Sequence, residues 1–392
     1  MPHCKTLRLA IILVPALFAA RIDPPDGTLV AHEWGTFTSV AGEDGDPVSW
    51  FPLAGASDLP CFVNRLGGRN IKLAPGTVRM ETPVLYFYAS RPTMVSVHVD
   101  FPQGIVTEWY PNATHVGPYQ ANLNSPSRFG TANGSIEWNS VEVRPGDHLV
   151  LPIEKSASHY YAARKTDSAP IRIGKEQEKL IFYRGMGDFA VPVRPRMTSA
   201  GKMEIRNGGS EPIPLAIVFE NRRGKVGYRV ARSVREAVTL DLPELAGNVD
   251  RLRQEIEVDL IAVGLYPKEA HAMVETWRDS WFEEGARVFY FVPRSMVDAV
   301  LPLTITPAPQ QIERVFVGRV EVLSPTVELD IATALATGEV AVLEKYGRFL
   351  NPYLSQMTAK QGELAKAPGA SVFLQAAFIR LQKELNSPAC VP

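Results

Sequence analysis

Apolar and polar positions alternate along several short segments in the first 240 residues of the chain. In residues 94–101 a valine or phenylalanine fills every second position, while His98 and Asp100 fall on the opposite face, which predicts a half-buried strand. In residues 135–143 the apolar phase switches, which predicts a bulge near Asn139. The strand candidates found in this way before residue 240 are 84–88, 94–101, 105–110, 135–143, 149–153, 180–184, 215–220 and 226–230.

Helical periodicity is concentrated in the second half of the chain. Between residues 241 and 285, apolar residues recur at spacings of three and four, and a segment that begins at Pro267 places Trp277 and Trp281 on one face. Strands return after this region, and the helical spacing resumes in residues 326–392. The pattern therefore predicts a helical insertion at 241–285 and a helical C-terminal tail.

The order of these elements predicts the fold class. Strands that come first and helices that come later favour a mainly β protein, α+β overall, with one or two β-sandwich-like regions, over a parallel α/β sheet. We predict an N-terminal β domain at 21–170, a second β domain at 171–325 that contains the insertion, and a helical tail at 326–392. Proline makes up 32 of the 392 residues, which disfavours long helices.

The first twenty residues have the pattern of a secretory signal peptide. Lys5 and Arg8 precede an apolar run at 9–20, which has the length of a signal core and is too short to cross a bilayer as a helix. We expect cleavage close to Ala20 and export to the periplasm or the extracellular space, with no later membrane span. An uncleaved anchor is the alternative interpretation of the same residues.

The net charge of the chain bears on its possible partners. The chain has 41 Lys and Arg against 42 Asp and Glu, so its near-neutral charge gives no electrostatic argument for a nucleic-acid partner.

After removal of the signal peptide, Cys61 and Cys390 are the remaining cysteines. In an oxidising compartment they form either one disulfide bridge or two unpaired thiols, and two cysteines alone have no spacing pattern that decides.

Common catalytic motifs, such as the P-loop and the His-Glu-x-x-His zinc motif, do not occur in the sequence. One local cluster combines His32 and Glu33 with an acidic loop that contains Asp44 and Asp46. Imidazole and carboxylate groups are ligands for divalent metal ions, so this set predicts a metal site. The alternative is a strand that enters a turn, with His32 hydrogen-bonded and the acids solvated.

A second local cluster contains His159, Arg164 and Asp167, and Arg184 follows it. A histidine beside a carboxylate suits acid–base chemistry, and an arginine suits binding of a carboxylate or stabilisation of an oxyanion. We expect these residues to meet His32, Glu33 and Glu81 in one polar site, since strand ends in a sandwich bring distant loops to one rim. The alternative is a polar loop with surface ion pairs of little energetic value.

Three stretches of the chain resemble an uncharacterised family of exported bacterial proteins. These stretches are the His-Glu-Trp-Gly-Thr-Phe-Thr motif in 32–40, the Met-Glu-Thr-Pro motif in 80–88, and the stretch from Gly264 to Arg319. The resemblance covers most of the chain after residue 20. It implies export, and it carries no known activity, cofactor or catalytic residue.

These observations lead to two functional hypotheses. The favoured one is an extracytoplasmic ligand-binding or surface-assembly protein, with a small molecule, a glycan or a protein as the ligand. The alternative is a secreted hydrolase, with or without a divalent metal ion as cofactor, that uses the clusters around His32 and His159. The sequence itself does not decide between a binding protein and an enzyme.

Overall fold

The computed structural model describes residues 27–54, 59–66, 72, 74–117, 133–154 and 158–360. The predicted signal peptide, at 1–20, and the tail residues beyond 360, with Cys390, lie outside the described residues. Cys61 is disulfide-bonded, and its partner also lies outside them.

Strands dominate the described residues, which confirms the mainly β fold class, with helices in the predicted insertion and in the C-terminal region. The strands are β1 (Leu29–Val40), β2 (Asn64–Arg65), β3 (Val78–Ala89), β4 (Thr93–Pro102), β5 (Gly104–Tyr110), β6 (His115–Gly117), β7 (Asn133–Val143), β8 (Ile171–Ile173), β9 (Glu176–Glu178), β10 (Ile181–Gly187), β11 (Val193–Met197), β12 (Met203–Asn207), β13 (Ile213–Arg222), β14 (Lys225–Val234), β15 (Ala237–Leu240), β16 (Gly285–Phe291), β17 (Leu303–Thr306) and β18 (Gln311–Val322). The helices are α1 (Val249–Ala262), α2 (Pro267–Thr276), α3 (Arg278–Trp281), α4 (Arg294–Val300), α5 (Pro325–Thr337), α6 (Val340–Glu344) and α7 (Leu350–Lys360), with 3₁₀ helices at His159–Arg164 and Gly347–Phe349.

Fifteen of these strands form one large sheet, and β11, β12 and β15 form a small one. The main path of the large sheet runs β14-β13-β16-β18-β1-β3-β10-β5-β7-β4-β17. At its centre, β1 pairs in parallel with β18 and antiparallel with β3. Because β1 is covered on both faces, all twelve of its residues are buried.

The strand order of the large sheet crosses the predicted domain boundary near residue 170. Strands from the predicted 21–170 and 171–325 regions interleave, since β18 pairs with β1, β10 lies between β3 and β5, and β17 pairs with β4. A boundary near residue 170 therefore does not separate two sheets.

The described residues form four apolar cores, of which the three largest lie against the large sheet as follows. The first core packs on one face and contains both Val97 of β4 and Val288 of β16, so the sheet curves around it. The second core lies on the other face, between the sheet and α1, α2, α3 and the 3₁₀ helix His159–Arg164, and it includes Trp34 of β1. The third core lies under the C-terminal helices and includes Val40 and Tyr353. We call the face with the second and third cores the helix-covered face.

The helices of the insertion follow the predicted periodicity. Trp277 and Trp281 are 5% and 1% exposed, which confirms the predicted buried face. Proline at position 267 suits the first turn of α2, and the Glu269 side chain accepts a hydrogen bond from Tyr266 N at 2.8 Å. No helix within the described ranges has both the length and the apolar character needed to cross a membrane.

The predicted bulge in 135–143 is also present. Val95 of β4 pairs with Val141 of β7, whereas Val97 pairs with Trp138, so Asn139 and Ser140 both lie opposite Ser96 and β7 contains one extra residue. The bulge lets both apolar phases of β7 face the first core.

Candidate functional site

A row of polar side chains crosses the helix-covered face between the second and third cores. On β1, Thr36 and Thr38 separate Trp34 of the second core from Val40 of the third. The register places Thr36 beside Glu81 of β3, and Thr38 between Arg79 of β3 and Arg319 of β18. Polar groups from several central strands therefore lie in one line where neither set of helices supplies an apolar cover.

At one end of this row, three guanidinium groups surround two carboxylates. We call this set the arginine cluster; it consists of Arg79, Glu81, Glu108, Arg184 and Arg348. Arg348, from the 3₁₀ helix Gly347–Phe349, donates to Glu81 Oε1 at 2.5 Å, and Arg184 of β10 lies opposite Glu108 of β5 in the strand register.

Arg79 is held less tightly by the carboxylates than Arg348. Its Nε lies 3.8 Å from Glu81 Oε2, its Nη2 lies 3.7 Å from Glu108 Oε1, and its Nη1 donates to Pro52 O at 2.6 Å. Both carboxylate contacts exceed hydrogen-bond length. The Arg79 guanidinium is thus an ion-pair partner whose charge the two glutamates do not fully engage.

The pKa of Glu81 reports the positive charge of the arginines around it. Burial alone would raise this pKa, but the nearby guanidinium groups of Arg348, Arg79 and Arg184 outweigh burial and lower it to about 2. The pKa of Arg79 is lowered, first by burial, with Arg184 and Arg348 adding repulsion that Glu108 and Glu81 oppose. Three guanidinium groups therefore lie close enough to Glu81 to keep this buried carboxylate ionised.

The backbone is irregular at this point. The pairing of β1 with β3 shifts register between Trp34 and Thr36, and the pairings of β10 with β3 and β5 shift beside Arg184. Thr82 has a φ of 49°, a left-handed conformation that is strained for a β-branched residue, and its hydroxyl accepts from Arg184 Nε at 3.3 Å. Bulges and strained residues of this kind are enriched at functional sites.

One hydroxyl group beside the cluster has unused hydrogen-bonding capacity. Thr36 is 1% exposed, and within the described part of the chain its Oγ1 atom has no hydrogen-bond partner, whereas the hydroxyl of Thr38 lies beside Glu81 and helps to lower the pKa of that carboxyl. Solvent reaches the cluster through Arg348 and Glu108, whose side chains are 19% and 15% exposed. Hydroxyl donors and guanidinium groups therefore lie together at a place that is not sealed from water.

The other end of the polar row is a closed network. Glu321 accepts from Arg319 Nε at 2.7 Å and from Tyr353 OH at 3.1 Å, and Arg287 Nε lies 2.8 Å from the same carboxylate. Arg287 also donates to the carbonyl oxygen of Trp281 at 2.7 Å. Because these groups satisfy one another, this network links the sheet to the helices.

His32 lies elsewhere on the same face and is fully buried. Its Nδ1 is 2.8 Å from Glu269 Oε2 of α2, Tyr88 OH donates to Glu269 Oε1 at 2.7 Å, and the Tyr266 ring centroid lies 4.3 Å from the imidazole. Glu33 points to the opposite face of β1, where it accepts from Tyr183 OH and from Arg314 Nε at 2.6 Å. His32 and Glu33 thus belong to separate networks, because neighbouring strand residues face opposite sides.

The second predicted cluster is also divided. His159 Nδ1 bonds Thr276 O at 2.9 Å at the end of α2, and Asp167 pairs with Lys268 at the start of the same helix at 2.6 Å. His159 and His32 therefore bond opposite ends of α2, and they share no bonding partner.

Arg164 is used inside the second core. Its guanidinium donates to both oxygens of Glu178, at distances down to 2.5 Å, and to Pro152 O at 2.7 Å. The rings of Phe62, Tyr160 and Tyr161 lie against it, with centroids 5.0–5.6 Å from Cζ; these are cation–π contacts. Arg164 is therefore a buried structural cation, and it does not reach Arg184.

The predicted metal set is not assembled. Asp44 Oδ1 accepts from Asp46 N at 3.0 Å, Asp46 pairs with Arg194 at 2.9 Å, and His32 and Glu33 bond other partners. Among the described residues, no group of three or more His, Cys, Asp or Glu side chains has the geometry to hold a metal ion.

Of the predicted site residues, the structure brings together only Glu81 and Arg184 in the arginine cluster. Arg79, Glu108 and Arg348 were not predicted. Arg79 and Glu81 alternate on one strand, so Arg79 had a local signal, whereas Arg348 lies 267 positions from Glu81 and had none. No known protein-family profile matches this chain, and no curated protein matches it.

Proposed function

We propose that the protein is an exported ligand-binding protein whose arginine cluster binds an anionic group, such as a carboxylate or a phosphate. The main observation that supports this proposal is the set of three guanidinium groups around two carboxylates on the helix-covered face. Guanidinium groups are the side chains best suited to planar, two-point recognition of carboxylate and phosphate.

Two further features support an anion at this place. The carboxylate contacts of Arg79, at 3.7 and 3.8 Å, leave hydrogen-bonding capacity on its guanidinium, and the hydroxyl of Thr36 lies on the adjacent strand. Arg348 is part of a short 3₁₀ helix between α6 and α7, and its side chain is partly exposed. An anionic ligand can therefore replace Glu81 as the partner of the Arg348 guanidinium if this one side chain moves. The site thus combines guanidinium groups with a neighbouring hydroxyl group.

The hydrolase hypothesis has less support. It needs His32 and His159 in one site, but the two imidazoles bond opposite ends of α2, and His32 is fully buried. A ligand-binding role does not require the two histidines to lie in one site. Export is part of the proposal, and it is supported by the residue pattern at 5–20 and by the resemblance to exported bacterial proteins.

Thermal unfolding with added anions tests the binding site. Inorganic phosphate and citrate should raise the melting temperature of the wild-type protein, because a ligand that binds only the folded state stabilises it, and an equal concentration of glucose should not. The Arg348→Ala variant should lose most of this rise, measured against its own ligand-free value. Arg232→Ala removes an exposed arginine that pairs with Asp259, and this control should respond like the wild type.

An equal rise in the wild type and in Arg348→Ala would refute the site, as would the absence of any anion effect on the wild type. Export is tested separately by N-terminal sequencing of protein from expressing cells. A mature chain that begins close to residue 21 supports export, and a chain that retains residues 9–20 contradicts cleavage.

A further inference from the structure

Residues 149–154 form a segment without helix or strand that places apolar side chains on the surface. Val150 and Ile153 are 91% and 78% exposed, which makes them the most exposed large hydrophobic side chains among the described residues. They are separated by Leu151 and Pro152, so one short segment carries both. Exposed apolar side chains that lie close together mark contact surfaces, whereas isolated ones are common. We call Val150 and Ile153 the apolar strip.

Polar contacts hold the segment of the apolar strip against the residues around Cys61. Glu154 Oε1 accepts hydrogen bonds from Cys61 N at 2.6 Å and from Phe62 N at 3.3 Å. Pro152 O accepts a hydrogen bond from Arg164 Nη1 at 2.7 Å. Because these polar groups fix the segment, the apolar strip is held in place beside Cys61 while its own side chains stay on the outside.

The disulfide bond of Cys61 indicates which segment reaches this place. The sequence has two other cysteines, Cys4 and Cys390, and both lie outside the described residues. Cys4 precedes the apolar run at 9–20, so in an exported chain it stays on the cytoplasmic side of the membrane or leaves with the signal peptide. Disulfides form on the other side, in the oxidising compartment. Cys390 is therefore the available partner, provided that the protein is exported as proposed above.

The chain between α7 and Cys390 has the length and the sequence pattern to cover the apolar strip. The last described residue is Lys360, and residues 361–389 span up to about 100 Å when extended, enough to cross a protein of this size. Their sequence also contains apolar residues at helical spacing, which predicts one apolar helix face. These residues are Leu374, Phe378, Leu381 and Leu385.

We propose that residues 361–392 dock on the apolar strip through this predicted helix face, and that a disulfide between Cys61 and Cys390 locks them there. Contact between the two apolar surfaces removes both from water, which is favourable. The tail of the same chain is favoured as the occupant over a second copy, because the disulfide beside the strip holds the tail at a high effective concentration.

Peptide mapping without reduction tests the disulfide. Residues 21–392 contain Cys61 and Cys390 as their only cysteines, so this chain, oxidised in a glutathione buffer, is mapped without dependence on export. We expect a peptide pair that joins Cys61 to Cys390 in a protein that remains monomeric. Free thiols, or a dimer linked between two chains, would overturn the proposal. Failure of export, which the N-terminal sequencing above detects, leaves this readout unchanged.

Limited digestion of the same oxidised chain with trypsin tests the docking. Arg380 and Lys383 are tryptic sites in the tail, and docking should slow cleavage at both. Ile153→Ser should speed this cleavage at least about tenfold, since the loss of one buried isoleucine contact shifts the docked population by this order and cleavage follows the open population. Circular dichroism should show a folded variant, because the Ile153 side chain is largely exposed in the described part of the chain.

Val258→Ser is the matched control. Val258 is also an exposed aliphatic residue, 65% exposed on α1, and it lies outside the apolar strip. This variant should be cleaved in the tail at the wild-type rate. Equal cleavage rates in Ile153→Ser and the wild type, or equally fast cleavage in Val258→Ser and Ile153→Ser, would overturn the docking on the apolar strip.

Discussion

Glu81 remains charged in the interior because its surroundings compensate for the loss of water. An isolated buried carboxylate would be neutral, but Arg348, Arg79 and Arg184 lie close enough to hold its pKa at about 2. Glu33 shows the same principle on the other face, where it bonds Tyr183 and Arg314. These two glutamates are therefore buried as members of networks of hydrogen bonds and ion pairs.

The pKa of Glu81 predicts a specific dependence of stability on pH. Its folded-state pKa lies below the unfolded value, so its ionisation stabilises the folded state above about pH 4.3, and this contribution disappears as the pH falls towards 2. At neutral pH the contribution is about 3 kcal/mol. Urea unfolding between pH 2.5 and 7 should therefore show a stability difference between wild type and Glu81→Gln that shrinks as the pH falls.

Glu236→Gln is the control for this experiment, because Glu236 is exposed. Its difference from the wild type should stay within about 0.5 kcal/mol over the whole range, as is usual for a surface substitution. A constant difference for Glu81→Gln would contradict the proposed electrostatic origin.

The composition of the arginine cluster was only partly predictable from single residues. The sequence predicts Glu81 and Arg184 as members of one polar site with the clusters around His32 and His159. Arg348 and Glu108 were not predicted, because their partners are set by strand order and by a helix turn far along the chain. A cluster whose members are brought together by the pairing of distant strands leaves no pattern in the local sequence.

At the scale of elements, α2 is attached to the sheet by polar contacts at both ends. Glu269 at its start bonds His32 and Tyr88, and Thr276 at its end accepts a hydrogen bond from His159. The helical segment itself was predictable, because its apolar spacing is regular. The end of α2 at Thr276, before the separate turn of α3, was not predictable from this spacing. The buried Glu269 side chain also departs from the pattern, which would place a glutamate on the exposed face.

The two histidine contacts of α2 should differ in their energetic value. His32→Ala removes the partner of a fully buried carboxylate, a change that typically costs about 3–5 kcal/mol. The His159 side chain is 36% exposed, so His159→Ala should cost less than about 1 kcal/mol. Guanidinium unfolding of both variants measures these values, and equal losses would show that the burial of the His32 contact has no special importance.

Trp281 provides a test of the packing between the insertion helices and the sheet. Its ring lies 5.5 Å from that of Phe289 on β16 and is stacked at 6.5 Å on that of Trp277. Trp281→Ala should therefore cost about 3–5 kcal/mol of unfolding free energy.

The comparison for Trp281 is Val258→Ala, on the exposed side of α1, where the side chain is 65% exposed. This variant should change the unfolding free energy by less than about 0.5 kcal/mol. A loss below about 1 kcal/mol for Trp281→Ala would mean that the tryptophan does not anchor the helices.

At the scale of the whole molecule, the parallel pairing of β1 with β18 determines the architecture. Eleven consecutive residues of β1, from Val30 to Val40, pair with Gln311 to Glu321. The periodicity and order of the segments predict a mainly β chain, but hydrophobic alternation describes each strand by itself and contains no information about its neighbours. Two separate β domains were therefore the simplest arrangement of the predicted strands, although the large sheet combines them.

The interleaved sheet predicts that neither half of the chain folds alone. In a fragment of residues 21–170, β1 would lack β18, and β3 would be separated from β5, because β10 belongs to the other half. Exposed edges of central, doubly buried strands are unfavourable, so the fragment should aggregate or unfold without a cooperative transition. The fragment 171–392 should behave in the same way, whereas the two fragments expressed together should copurify and unfold cooperatively. The intact chain, expressed identically, is the reference. A cooperative thermal transition in either isolated fragment would show that the chain contains an independent domain and that the pairing of β1 with β18 is not required for folding.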